Sequence, residues 1–315
     1  MKPFLPEPFR PDKTEYPFEH KYTKLEGGAM HYVDEGEGDI ILFVHGTPTW
    51  SFLYRDFIKN MSKNYRAIAI DHIGFGLSEK PVHFEGRPQD HAKNLSAFIQ
   101  KLDLKNITLV VHDFGGPIGL AAGMDQPERI KQVVLFNTWL WETQSNEAIQ
   151  KADKIIQSFL GRFLYLRYNF SPRVLLKKGF ADKTKLSKEI HRQYIKPFPD
   201  KNSRLGLYRI AQSLAGSSEW YSDQWEKLQV LQDKPWLIIW GIKDEFFTPE
   251  FLDKWTERLR VLRRLFTSAD ILFRKNVQER LLRQCGNFLT ELNNVNSPKG
   301  CLWQKGEEAQ KSRGG

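Results

Sequence analysis

Short apolar runs of strand length recur along the chain, separated by stretches with helical patterning. The runs fall at 22–25, 30–33, 39–44, 66–71, 107–111, 131–137, 235–240 and 262–266, and they are rich in β-branched and aromatic residues. The first two are joined through Gly27-Gly28, and helical patterns at 52–61, 88–102 and 118–125 separate later ones. Strands alternating with helices at this spacing predict right-handed crossovers, hence an α/β fold with a mostly parallel sheet and helices on both faces. From 138 to 227 the alternation stops. Helical patterns take over there, broken at Ser171-Pro172 and at Pro197-Phe198-Pro199. Residues 1–17 are proline-rich and predict an extended arm, and no internal repeat is visible. The expected organisation is a first core part at 1–137, a helical insertion at 138–227, a second core part at 228–269 and an atypical tail at 270–315.

Composition narrows the class. A chain of 315 residues can bury one large core and suits one α/β domain with an insertion better than two independent domains. No stretch approaches the ~18 uninterrupted apolar residues of a membrane span. The start, Met1-Lys2-Pro3-Phe4-Leu5-Pro6, lacks the apolar core of a signal peptide, so a cytoplasmic protein is expected. The two cysteines, Cys285 and Cys301, exclude a disulfide framework and a cysteine-based zinc site. Of the net charge of +9, residues 142–230 contribute +7, from 16 Lys and Arg against 9 Asp and Glu. These charges are scattered among apolar residues at helical spacing, as on solvated amphipathic faces, so neither nucleic acid nor membrane is expected as a partner.

The stretch that carries chemistry is Val110-Val111-His112-Asp113-Phe114-Gly115-Gly116. A strand turning sharply into a helix through small residues has the geometry of a nucleophile elbow, whose tip residue faces the helix N–H groups. Here the tip is Asp113. A carboxylate with a reference pKa of about 4 is ionised at neutral pH and suits attack on an electrophilic sp³ carbon, forming an alkyl ester. The same residue also reads as an ordinary helix cap, and its position alone leaves both readings open. A second turn, His45-Gly46-Thr47-Pro48-Thr49-Trp50-Ser51, follows the strand at 39–44. It brings the Thr47 backbone N–H opposite that of Phe114, where such a fold builds an anion hole.

The two stretches HGTPTWSFLYR (45–55) and HDFGGPIGL (112–120) together resemble the haloalkane dehalogenases of the α/β-hydrolase superfamily, with epoxide hydrolases close by. The Gly-rich turn from Asp71 to Ser78 shares the resemblance. The resemblance implies an α/β-hydrolase fold with a helical cap inserted at 138–227. It implies a hydrolase of small halogenated alkanes in which Asp113 is the nucleophile and the Thr47 and Phe114 amides hold the anion. Asp244, in Gly-Ile-Lys-Asp after the strand at 235–240, matches the acid that orients a catalytic histidine. No cofactor or metal is implied, the substrate is a small molecule, and a monomer or weak oligomer is expected.

The chain departs from that pattern twice. The family usually places Trp after the nucleophile as a halide donor, and Phe114 has no side-chain donor. Asn or an acid often stands where this chain has Thr47. Trp139, Trp141, Trp220 and Trp225 are candidates to face the site, with Trp139 and Trp141 the expected pocket residues. Tyr165, Tyr168, Tyr194 and Tyr208 are the candidate acids if the substrate is an epoxide. The larger departure is the missing base, because all eight histidines lie at or before His191. His45, His72 and His112 read as structural. The family's Gly-His-Phe should follow the strand at 262–266, where the chain has Thr267-Ser268-Ala269-Asp270-Ile271. Asp-Ile can be written GAC-AUU, and one restored G ahead of it reads GGA-CAU, Gly-His. Residues from Asp270 onward are therefore expected to be translated out of frame, the alternative being a genuine divergent tail. The rival readings are an epoxide hydrolase and a non-catalytic ligand-binding relic.

Overall fold

The computed structural model describes residues 9–179 and 186–259 and the backbone of a last strand, Arg263–Thr267. The expected tail at 270–315, both cysteines and the turn at 268–273 lie outside the described residues.

Eight strands form one sheet: β1 (Lys21–Leu25), β2 (Gly28–Glu35), β3 (Ile40–Val44), β4 (Arg66–Ile70), β5 (Ile107–Val111), β6 (Ile130–Leu135), β7 (Trp236–Gly241) and β8 (Arg263–Thr267). Their order is β1-β2-β4-β3-β5-β6-β7-β8. β1 and β2 form an antiparallel edge, and every pairing from β4 through β8 is parallel. The central strands β3 and β5 are buried along their whole length, which is why their sequences are continuous apolar runs. Alternate residues still serve different faces. Ile40, Leu42 and Val44 join one apolar cluster, and Ile41 and Phe43 join the other, as a period of two requires. Helices α1 (Arg55–Met61), α2 (Pro88–Lys101) and α3 (Gly115–Met124) cover the two faces, Phe57 and Ile58 of α1 on one side and Leu95, Phe98 and Ile118 on the other. α2 opens with Pro88 in its first turn, where a missing N–H costs nothing, and Asp90 accepts the N–H of Arg87 at 3.1 Å.

Between β6 and β7 runs the helical insertion: α4 (Glu147–Gln157), α5 (Phe159–Tyr168), α6 (Leu176–Lys178), α7 (Lys188–Ile195), α8 (Leu205–Gly216) and α9 (Ser218–Lys227). It packs over the carboxyl ends of the strands. Trp50, beyond β3, donates its indole N–H to the Gln193 carbonyl at 3.1 Å, and Lys80, in the loop after β4, lies 5.8 Å from the Phe198 ring. α10 (Pro249–Arg258) then covers the sheet beyond β7 through buried Leu252 and Trp255.

Two boundaries differ from expectation. The predicted break at Ser171-Pro172 is a π-helical turn, Ser171–Leu175, that leads directly into α6. Proline sits in its first turn, and the chain reverses instead at Asn169, which is left-handed at φ 52°. α3 begins at Gly115 rather than near Ile118, because the two glycines and Pro117 occupy a first turn whose N–H groups need no helical partner.

Candidate active site

β5 and α3 meet at Asp113, whose backbone is left-handed at φ 53°. A side-chain-bearing residue is held there only by its surroundings, and these are visible. The Asp113 N–H donates to the Asn137 carbonyl at 2.9 Å, and the Thr138 hydroxyl donates to the Asp113 carbonyl at 2.6 Å. The turn directs the carboxylate toward the end of β3, where the Thr47 N–H donates to its Oδ1 at 2.7 Å. Gly46 is required at this point, since a β-carbon there would collide with the Asp113 carboxylate. Burial raises the Asp113 carboxyl to about 7 despite N–H groups from Phe114 and Thr47 that favour its ionised form, and the nearby Asp244 charge adds to the rise. The residue as a whole is half-buried, and loss of solvent around its carboxyl group dominates.

Asp244 follows β7. Its Oδ1 accepts the N–H groups of Phe246 at 2.8 Å and Phe247 at 3.1 Å, and its Oδ2 accepts Asn137 Nδ2 at 3.1 Å. Burial nonetheless raises its pKa. Asn137 also bonds both backbone groups of Gly241, at 2.8 and 3.1 Å, so one amide ties the elbow to the end of β7. Asn137 and Thr138 were not singled out in the sequence. The available signal was a polar pair directly after an apolar strand.

The sequence matches the α/β hydrolase fold family over residues 39–275. It is 34% identical to haloalkane dehalogenase 2 of Mycobacterium bovis over 243 residues, 77% of this chain and 84% of that protein. The chain is a haloalkane dehalogenase-like α/β-hydrolase. It is also 32% identical to a cis-3-alkyl-4-alkyloxetan-2-one decarboxylase of Shewanella oneidensis, over 77% of this chain and 79% of that one. Its fold superposes on the haloalkane dehalogenase DatA of Agrobacterium tumefaciens with a TM-score of 0.80 at 26% identity, covering 90% of this chain and all of that one.

Around Asp113 of this α/β-hydrolase, the Thr47 hydroxyl and the Trp139 indole N–H are buried without a partner among the described residues. Trp139 is 2% exposed and meets the Phe114 ring edge-on, with centroids 4.8 Å apart. Phe247, whose N–H is the second amide partner of Asp244, stacks on Trp139 with centroids 5.9 Å apart. The structure thus brings Asp113, Thr47, Phe114 and Trp139 together. It places Trp141 elsewhere, in a cluster with Trp225 and Trp255 at centroid distances of 5.3 and 5.6 Å. Trp220 lies edge-on to Tyr221, one contact removed from Trp139.

His45 and His72 are tied to the strand-end turns and to each other. His45 Nδ1 bonds the Gly46 carbonyl at 2.7 Å, and its Nε2 accepts the His72 N–H at 3.0 Å. His112 is held near a pKa of 3 by burial, and its Nδ1 has no partner among the described residues. His191 bonds the Pro172 carbonyl within the insertion at 2.8 Å. Of the four tyrosines considered as acids, Tyr208 donates to the Ile156 carbonyl and Tyr165 packs on it. Tyr168 is 59% exposed, and Tyr194 packs on Phe52.

Proposed function

We propose that this hydrolase cleaves the carbon–halogen bond of a small haloalkane through an alkyl ester on Asp113. The observation that carries this reading is the buried carboxylate at a left-handed elbow, with the Thr47 N–H 2.7 Å from Oδ1. A carboxylate oxygen attacks the carbon, and the halide leaves with the bonding pair. The Thr47 and Phe114 amides hold the carboxyl oxygen that does not attack. The unpartnered Thr47 hydroxyl and Trp139 indole N–H supply leaving-group donors where the family's usual pair is replaced. The helical insertion acts as the cap. The relatives, a haloalkane dehalogenase and a cis-3-alkyl-4-alkyloxetan-2-one decarboxylase, support a reading in which the substrate is a haloalkane or a similar electrophile.

Ester hydrolysis needs a base to draw a proton from water, and such help is typically worth ~10²–10⁴ in rate. Asp244 is placed to orient an imidazole, yet no histidine follows His191. We therefore assign this chain a single turnover, ending as a covalent alkyl-enzyme. Epoxide opening is the second reading, favoured by the donor-free Phe114. It needs an acid over the ring oxygen; the Tyr208 hydroxyl is engaged by the Ile156 carbonyl, whereas the buried Tyr194 hydroxyl has no partner among the described residues.

Incubation with a bromoalkane, with bromide titration and intact-mass analysis, tests the reading. One bromide and one alkyl adduct per chain, on the peptide containing Asp113, are expected. Sustained bromide release would show another base. A hydroxyalkyl adduct formed from an epoxide but none from the bromoalkane would shift the assignment to the second reading. No adduct from either would leave a ligand-binding relic. A frame-restored chain, with Gly-His after β8, is expected to turn over continuously.

A further inference from the structure

The helical insertion carries an apolar surface of its own. Six large apolar side chains within residues 155–174 are exposed: Ile155 at 62%, Phe159 at 87%, Leu160 at 60%, Phe163 at 39%, Tyr168 at 59% and Val174 at 39%. Isolated exposed apolar residues are ordinary, but a contiguous patch marks an interaction site. Three of them touch directly. The Phe159 and Phe163 rings stack at 6.4 Å, and Tyr168 meets Phe163 edge-on at 5.3 Å. Ser158 caps α5 by accepting the Gly161 N–H at 3.0 Å, so these aromatics ride on an ordered helix.

Charge decides what the patch meets. Between residues 147 and 179 the chain has seven basic residues and two acidic ones, and all seven basic residues are exposed. One acid, Glu147, is paired with Lys151 at 3.5 Å. Beside the patch, Arg173 and Lys177 line a cleft of about 360 Å³ with Lys188 and Arg192, a concentration of cations suited to phosphate oxygens. A second copy of the chain in a two-fold contact would set this cationic surface against itself, which is repulsive. Aromatic and aliphatic tips rimmed by Lys and Arg match the face of a helix that lies in a lipid headgroup region.

We propose that the α4–α6 face of the insertion docks on an anionic phospholipid bilayer, with Phe159, Leu160 and Phe163 entering the acyl boundary and the Arg173–Lys177 cleft holding a headgroup phosphate. The attachment is peripheral, since no helix among the described residues is long and apolar enough to cross a membrane. The proposal departs from the expectation of solvated faces drawn from charge spacing alone. The fold brings Phe159, Phe163 and Tyr168 into contact, which linear periodicity across the Ser158 break did not show.

Co-sedimentation of the full chain with phosphatidylcholine vesicles, with and without phosphatidylglycerol, tests the proposal. Binding is expected only with the anionic lipid and should fall with added salt. Neutralising Arg173 and Lys177 together (R173Q/K177Q) should weaken it about 25-fold, at roughly fivefold per charge near the surface. F159S/F163S should weaken it at least tenfold at unchanged charge. K63Q/K105Q, before the amino ends of β4 and β5 and so at the opposite end of the strands from the insertion, removes equal charge and should leave it within about twofold. Any of four results would overturn the proposal: no binding, binding equal on neutral vesicles, full binding by F159S/F163S, or as large a loss in K63Q/K105Q. Self-association abolished by F159S/F163S, without vesicle binding, would assign the face to a second copy.

Discussion

Asn137 donates its side-chain N–H to Asp244 Oδ2 at 3.1 Å while its backbone carbonyl receives the Asp113 N–H at 2.9 Å. One residue at the end of β6 therefore fixes the distance between the ends of β5 and β7. Its buried amide also bonds Gly241 through both of its polar atoms. Replacing Asn137 with Ala leaves the Gly241 N–H and one side of Asp244 without a partner. A loss of about 2 kcal/mol is expected, the usual cost of orphaned buried groups. Urea denaturation reads it directly, and a change below ~0.5 kcal/mol would show that water replaces the amide.

Asp113 makes the ground state pay for reactivity. Its folded pKa is near 7, above the reference carboxyl value, so the folded chain binds a proton more tightly than the unfolded one. The sign follows: this group's contribution is favourable at low pH and is lost as pH rises from the unfolded value through about 7. Asp113→Asn should therefore stabilise the protein above that pH, by about 2 kcal/mol once partial solvent access is discounted, and change little in mild acid. Thermal melts of both forms across pH check it, and a pH-independent difference would refute it.

The same pKa governs chemistry. Only the ionised carboxylate attacks, so the alkylation rate should rise tenfold per pH unit below about 7 and level off above it. Adduct formation followed by mass spectrometry from acid to alkaline pH gives the profile. A midpoint near the reference value of about 4 would mean that the site is wetter than its burial indicates.

The orphan donors make a separate prediction. Thr47→Val and Trp139→Phe keep shape and remove only the hydroxyl and the indole N–H. Each should slow bromide displacement, with losing one preorganised donor costing up to ~10²–10³ in rate. Alkyl iodides, which need less help, should be less affected than chlorides. Equal slowing across halides would make these positions packing residues.

How much of this was legible beforehand differs by level. The core strands were readable to within a residue or two because β3, β5 and β7 are buried on both faces. A strand in that environment has to be a continuous apolar run, whatever the rest of the chain does. The elbow was readable because a left-handed non-glycine residue between a strand and a helix needs small neighbours, and Gly115, Gly116 and Gly46 are local in sequence. That no histidine follows His191 is a matter of composition alone. Pairings between residues distant in the chain were not. Asn137 reaches Gly241 across 104 positions, Trp139 turns toward Phe114 while Trp141 turns toward α10, and the aromatics of α5 gather on one face beside cations from α6 and α7. Each depends on how the helical insertion closes over the strand ends, and that closure is set by packing between segments whose own patterns say only that they are helices.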